Sequence, residues 1–226
     1  MSDKLKLKGL SRELIALRVA NELEDGTYAN LGIGIPTLVS DWIEGRDIIL
    51  QSEIGMLKTG PLAMGDDVDQ DLINASCQAV TALDGSSYFD ITESFGMIRG
   101  GHIDVAVMGA LQINDRGDYA GWSNPARGLF VGNIGGSMDL CAGAKKLFIA
   151  MEHTTRDGEY KIVKELSYPA TALGMVSMLF TDLAVIEITP EGMVLKEVMA
   201  GLTPADVQSV TEPKLIISPD LKEMEL

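Results

Sequence analysis

Histidine and cysteine are scarce in this sequence. Its 226 residues include two histidines, His102 and His153, and two cysteines, Cys77 and Cys141. The histidines are too few and too far apart to suggest a zinc site. Neither cysteine has a metal or redox spacing, so no structural disulfide is expected and a reducing, cytoplasmic compartment fits. Long apolar runs are missing as well. None approaches the roughly 18 consecutive apolar residues of a membrane span, and the longest, IDVAVMGALQI, is interrupted by Asp104. The opening stretch MSDKLKLKGL has no continuous apolar core and reads as no signal peptide. Basic residues are outnumbered, 18 against 33 acids, for a net charge of −15. Such a surface repels phosphates and anionic lipid, so neither nucleic acid nor membrane is an expected partner. A large anionic ligand is not expected to be held by this chain alone. No G-x-S-x-G elbow supports a Ser-His-Asp triad, and there is no G-x-G-x-x-G or P-loop.

What is present is an alternation of elements. Residues 11–24 read as a helix, with Leu10, Leu14, Leu17 and Leu23 near helical spacing and Asp25-Gly26 closing it. TYANLGIG reads as a strand entering a tight loop, and Pro36 opens a helix over PTLVSDWI. DIILQSE is the next strand, residues 60–70 a polar loop, and DGSS a turn. Asp90 and Glu93 have the spacing of a capping box that opens a helix ending near Arg99-Gly100-Gly101. HIDVAVMGALQI is a near-continuously apolar strand of the kind buried in parallel sheets. A long irregular segment follows, from Ala120 to Gly136, and then the strand KKLFIAM. A helix is expected through ATALGMVSMLF, then a hairpin of DLAVIEIT and MVLKEVM joined by PEG, then a capped turn at Thr203 to Asp206. The fold class is therefore α/β: a layered domain with a mostly parallel sheet flanked by helices and an antiparallel hairpin near the C-terminus. With no repeat, linker or composition break, residues 1–226 are expected to form one domain, with the charged tail 218–226 loose.

Ligands of open α/β sheets bind beyond the carboxyl ends of the strands, and three segments fall at such places. Asn30-Leu31-Gly32-Ile33-Gly34-Ile35-Pro36 is strand, glycines, helix; its backbone N–H groups suit an anion or a carbonyl, or it is a plain tight turn. Residues 132–136, with Gly135-Gly136 at their end, leave backbone donors uncovered, as an oxyanion hole requires, or form an ordinary loop. Glu53, after DIILQS, suits a general base, a metal ligand or a nucleophile, or is a solvated strand end. No second acid lies near it in sequence to make a metal pair. His102 and His153 flank apolar strands and read as framework residues. The twelve methionines read as core filler.

Taken in order, N-L-G-I-G-I-P, Q-S-E-x-G, R-G-G-H-I-D-V-A-V-M-G-A-L-Q, G-G-S-M-D-L with G-A-K-K, M-E-H-T and T-D-L-A-V-I resemble the B-type subunit of the family I, 3-oxoacid CoA-transferases. The likeness runs from about Leu14 to Ile217. It implies a glutamate nucleophile at Glu53 and an acyl-glutamyl anhydride followed by a glutamyl-CoA thioester in a ping-pong exchange. Asn30, Gly32, Gly34, Gly135 and Gly136 would position the substrate carbonyl and its oxyanion, with Ser52, Ile54 and Gly55 as neighbours. The spacing of 23 residues from Asn30 to Glu53 leaves room for a helix crossover between adjacent strands, so both can meet at one sheet end. Exchange of carboxylate for thiolate conserves the activated bond, so no metal and no permanently bound cofactor is expected, with coenzyme A itself the substrate and covalent intermediate. The resemblance also implies a partner, the separate A-type CoA-transferase subunit, in an A2B2 heterotetramer, and acyl-CoA and carboxylic acid substrates such as acetoacetate. An acyl-CoA hydrolase or a non-catalytic acyl-CoA sensor of the same fold are the alternative readings. The family pattern is S-E-N-G, N-W and P-G-K, whereas Ile54, Gly121-Trp122 and Pro125-Ala126-Arg127 stand here.

Overall fold

The computed structural model describes residues 7–125 and 134–226. Helix α1 (Arg12–Glu22) starts where Ser11 accepts a hydrogen bond from the Leu14 N–H. Its core stripe is Ile15, Ala16, Val19 and Ala20, whereas Leu14 and Leu17 stay half-buried. Strand β1 (Tyr28–Leu31) leads to a 3₁₀ helix over Pro36–Trp42, tighter than the α-helix the proline suggested, and then to β2 (Ile49–Ser52). Strand β3 (Met56–Leu62) reaches into the expected 60–70 loop, whose remainder holds a 3₁₀ turn at Gly65–Asp67. Strand β4 (Val80–Tyr88) contains DGSS, which is a bulge and not a turn between elements. Leu57 pairs with Ser87 but Thr59 with Ala82, so the surplus residues loop out around Gly85, whose φ is +84°. Helix α2 (Ile91–Arg99) is capped as expected, Asp90 accepting from the Thr92 and Glu93 N–H groups.

The apolar run after His102 is not one strand. β5 (Val105–Met108) ends at Gly109, and β6 (Gln112–Ile113) leaves the sheet to pair with β7 (Tyr119–Ala120) as a separate antiparallel ribbon. After α3 (Ser137–Gly143) and β8 (Lys146–Ala150), the expected helix over 170–180 is instead strand β9 (Val176–Phe180). Gly174, at φ +66°, breaks any helix there, and the apolar run that follows satisfies its backbone between β8 and the next strand. Strands β10 (Ala184–Thr189) and β11 (Gly192–Val198) form the expected hairpin, and α4 (Pro204–Ser209) opens with a Thr203–Asp206 capping box. The tail expected to be loose is largely strand β12 (Ile216–Glu223), parallel to β11.

These strands make a ten-stranded sheet in the order β12-β11-β10-β9-β8-β5-β1-β2-β3-β4. Its centre, β9-β8-β5-β1-β2, is parallel, and antiparallel pairs lie toward both edges. Side chains alternate between two cores. Ala106, Met108, Leu147 and Ile149 face a cluster shared with Ile98 of α2 and Leu140 of α3. Val105, Val107, Phe148 and Ala150 face one shared with Ile15 and Val19 of α1. From β1 the chain passes to β2 on one side, and later to β5 on the other. That reversal leaves a crevice between the ends of β1 and β5, where such sheets hold ligands. Among the described residues, no helix is long and apolar enough to cross a membrane.

Candidate active site

Glu53 is the first residue beyond β2. It begins the turn Glu53-Ile54-Gly55 that folds the chain back into β3, closed by Gly55 N–H donating to the Ser52 carbonyl at 3.0 Å. Gly55 has φ +127°, and a Cβ there would lie 2.2 Å from the Phe89 carbonyl oxygen. The turn therefore requires glycine for both conformation and space. Phe89 N–H donates back to the Gly55 carbonyl at 3.0 Å, which pins the turn to the start of α2.

Asn30, on β1, pairs in register with Gln51 on β2. Its buried side-chain amide donates to Glu53 Oε2 at 3.2 Å. The two residues thus meet at one sheet end, as their spacing allows. Asn30 Oδ1 and Ser52 Oγ are buried without a hydrogen-bond partner among the described residues. Ser52 does not share the Glu53 pocket; it borders a cavity of about 40 Å³ with Thr37, Ser40, Thr59, Asn74 and Ser76 around it. That volume and lining suit one or two waters.

Glu53 faces a cavity of about 410 Å³ at the β1/β5 crevice. The loop after β1 contributes Gly32 and Ile33; the segment after β5 contributes Gly109, Ala110 and Leu111; Gly135, Gly136 and Ser137 close it from the start of α3. Of the glycines singled out from sequence, Gly32, Gly135 and Gly136 line this cavity, whereas Gly34 is exposed and does not. Gly32 and Gly136 are both sites of close approach. A Cβ on the first would lie 3.1 Å from the Val107 carbonyl, and on the second 2.6 Å from the Phe95 ring. Ile54 is not part of the cavity's wall and is 43% exposed. Gly121 stands where the family pattern has asparagine; a Cβ there would sit 2.6 Å from the Tyr119 ring. Residues 126–133, which include Ala126-Arg127 and Gly132, lie outside the described residues.

Sequence reading missed Tyr119, which is buried and lines the cavity. It missed Gln51 and Ser94 as well. Gln51 accepts from Asn30 Nδ2 at 2.7 Å, and its own amide donates to Ser94 Oγ at 2.8 Å. The signal available for Gln51 was a polar residue two places from Glu53, directly after the apolar Ile49-Leu50 of the same strand. The buried thiol is disarmed as a nucleophile: burial pushes Cys141 up to about 11. His153 is also a framework group. Its Nδ1 and Nε2 bond the Thr181 and Thr211 hydroxyls at 2.9 and 2.8 Å, and burial, with the Lys161 charge second, pushes it down to about 3.

The description "Coenzyme A transferase" belongs to the family model that matches residues 12–209. The B-type subunit of the 3-oxoadipate CoA-transferase from Pseudomonas putida is 44% identical over 209 residues, covering 92% of this chain and 98% of its own. The B-type subunit of the succinyl-CoA:3-ketoacid coenzyme A transferase from Helicobacter pylori is 45% identical over 201 residues, covering 89% and 96%. Among solved structures, the acyl-CoA transferase YdiF of Escherichia coli O157:H7 superposes with a TM-score of 0.75 at 23% identity. That match covers 98% of this chain and 44% of the YdiF chain, and it shows the shared fold.

Proposed function

The chain belongs to the coenzyme A transferase family, and from that premise we propose that it is the B-type subunit of an enzyme moving coenzyme A between a short-chain acyl-CoA and a 3-oxo acid. The observation that carries the reading is Glu53 itself: a carboxylate at the C-terminal end of a parallel strand, 3.2 Å from the Asn30 amide and facing a cavity at the sheet's switch point. Glu53 attacks the thioester carbonyl, giving an acyl-glutamyl anhydride and coenzyme A thiolate. The thiolate then attacks the glutamyl carbonyl, releasing the first acid as its carboxylate and leaving a glutamyl-CoA thioester. The second acid's carboxylate attacks that thioester and expels the thiolate, which takes the new acyl group and frees Glu53. Negative charge develops on a carbonyl oxygen in each addition, so preset donors matter more than any proton transfer. Asn30 Nδ2, which reaches Glu53, and the backbone at Gly136, which lines the same cavity, are placed for that role, whereas the Gly32 N–H is taken by the Val107 carbonyl at 2.8 Å. The apolar walls, Ile33, Met108, Leu111 and Leu140, suit a short acyl chain and keep water from the labile anhydride.

Relatives of nearly this length are named as the B-type component of their enzymes, which supports a separate A-type chain as partner. An A2B2 assembly and a cytoplasmic location complete the proposal, the latter supported by two free cysteines. The single-domain reading is supported by the one sheet that runs without a break from β12 to β4. The test uses the chain co-expressed with its A-type partner. Acetoacetyl-CoA is added, then borohydride, and the Ser52-Glu53-Ile54 peptide is read by mass spectrometry. Reduction of Glu53 to its alcohol only in the presence of acyl-CoA is the expected result. An unmodified Glu53 in an assembled, ligand-binding complex would sink the nucleophile assignment.

A further inference from the structure

Asn30 Nδ2 carries two hydrogens but meets three oxygens: Gln51 Oε1 at 2.7 Å, the Gln51 carbonyl at 2.9 Å and Glu53 Oε2 at 3.2 Å. The Gln51 carbonyl and the Glu53 carboxylate can only accept, so the nitrogen, and not Oδ1, must face them. Gln51 presents its oxygen to Asn30, and its nitrogen donates to Ser94 Oγ at 2.8 Å. Asn30, Gln51 and Ser94 are all buried, with exposures of 0%, 2% and 0%. Bulk water therefore cannot replace a partner lost along this line. Ser94 sits in the first turn of α2, whose start is held by the Asp90 cap.

The line has a direction. Were Gln51 reversed, its NH₂ would confront that of Asn30. Asn30 could not turn to relieve this, because its Oδ1 would then face the Gln51 carbonyl and the Glu53 carboxylate, acceptor against acceptor. A serine hydroxyl can donate or accept, so Ser94 does not set this direction; it anchors the far end of the Gln51 amide and so holds the Gln51 oxygen, and with it the Asn30 amide, in place against Glu53. We propose that Gln51 and Ser94 are positioning residues for the reaction, acting on Glu53 only through the placement of the Asn30 amide. The inference rests on the transferase reading and goes beyond it, because neither residue lines the cavity that Glu53 faces.

The experiment is a double-mutant cycle on the complex with the A-type partner, with acetoacetyl-CoA as donor and acetate or succinate as acceptor. Gln51→Met should lower kcat about 10- to 100-fold, as loss of near-attack geometry does, with KM for acetoacetyl-CoA within about twofold. Ser94→Ala, the smaller change, should act in the same direction and decides the matter where Gln51→Met fails to assemble. In an Asn30→Ala background each should cause less than about a twofold further loss, because residues acting through one group are not additive. Losses that multiply in that background, or an unchanged kcat in the single variants, overturn the inference. A wild-type complex that assembles but exchanges nothing with any acceptor overturns the transferase reading itself, and the inference with it.

Discussion

At Glu53 a carboxylate stands one residue past the end of β2, held by a tight turn on one side and the Asn30 amide on the other. Replacing it by glutamine keeps the shape and removes the proposed nucleophile. Glu53→Gln should abolish exchange while the complex assembles normally in gel filtration; retained turnover would remove Glu53 from the chemistry. Glu53→Asp draws the carboxylate back by about 1 Å and should lose about a hundredfold in kcat, measured by acetoacetyl-CoA consumption. His153 makes a different kind of prediction. Folded, it is pushed down to about 3 by burial, whereas the unfolded imidazole titrates near 6.5. Between those values the unfolded chain binds the proton and the folded chain does not. Its contribution is therefore complete above about pH 6.5 and declines as the pH falls, by about 2 kcal/mol between pH 7 and pH 5. Urea unfolding at the two pH values should show that drop, and His153→Gln should lack it.

Among the elements, the β2–β3 turn is the one on which the site depends. Gly34 and Gly55 both have positive φ, but only Gly55 lacks room, with the Phe89 carbonyl 2.2 Å from an added Cβ. Gly55→Ala should therefore lower both the melting temperature and kcat, while Gly34→Ala should show only the smaller penalty of backbone strain, about 1 kcal/mol. Equal losses in differential scanning calorimetry would contradict this reading of the turn. Elements with their own end signals were legible from sequence. Asp90 and the Thr203–Asp206 pair each cap a helix where expected, and Ser11, read as the start of a helix, is its N-cap. Residues 170–180 were not legible in this way. MVSMLF is apolar with either periodicity, and the open edge of β8 decides for a strand. Gly109, too, is silent in the sequence: the apolar run continues past it, but in the fold the chain turns away there to wall the cavity.

Across the whole molecule, helix α1 is tied to β11, one strand in from the sheet edge, by a buried ion pair. Arg18 Nε and Nη2 donate to the two Glu197 oxygens of β11 at 2.7 and 2.9 Å, and the guanidinium lies 5.5 Å from the centre of the Phe180 ring. Removing one partner strands a charge in the core. Glu197→Ala should cost about 3–5 kcal/mol in urea unfolding, and the apolar double replacement Arg18→Met with Glu197→Leu far less. A small effect of the single change would mean that Glu22, 2.9 Å from Arg18, is a sufficient partner. Local order along the chain determined much about this protein: the helix caps, the apolar strands of a layered α/β fold, Glu53 two places before Gly55, and the family motifs. These depend on residues within a few positions of one another, where spacing and side-chain chemistry act directly. Only the tertiary structure decided that 170–180 is a strand, that 216–223 pairs with β11, and that Gln51 and Ser94 stand behind Asn30. Each of those depends on which strand edge or amide is left without a partner, and that is set by contacts between residues far apart in the chain.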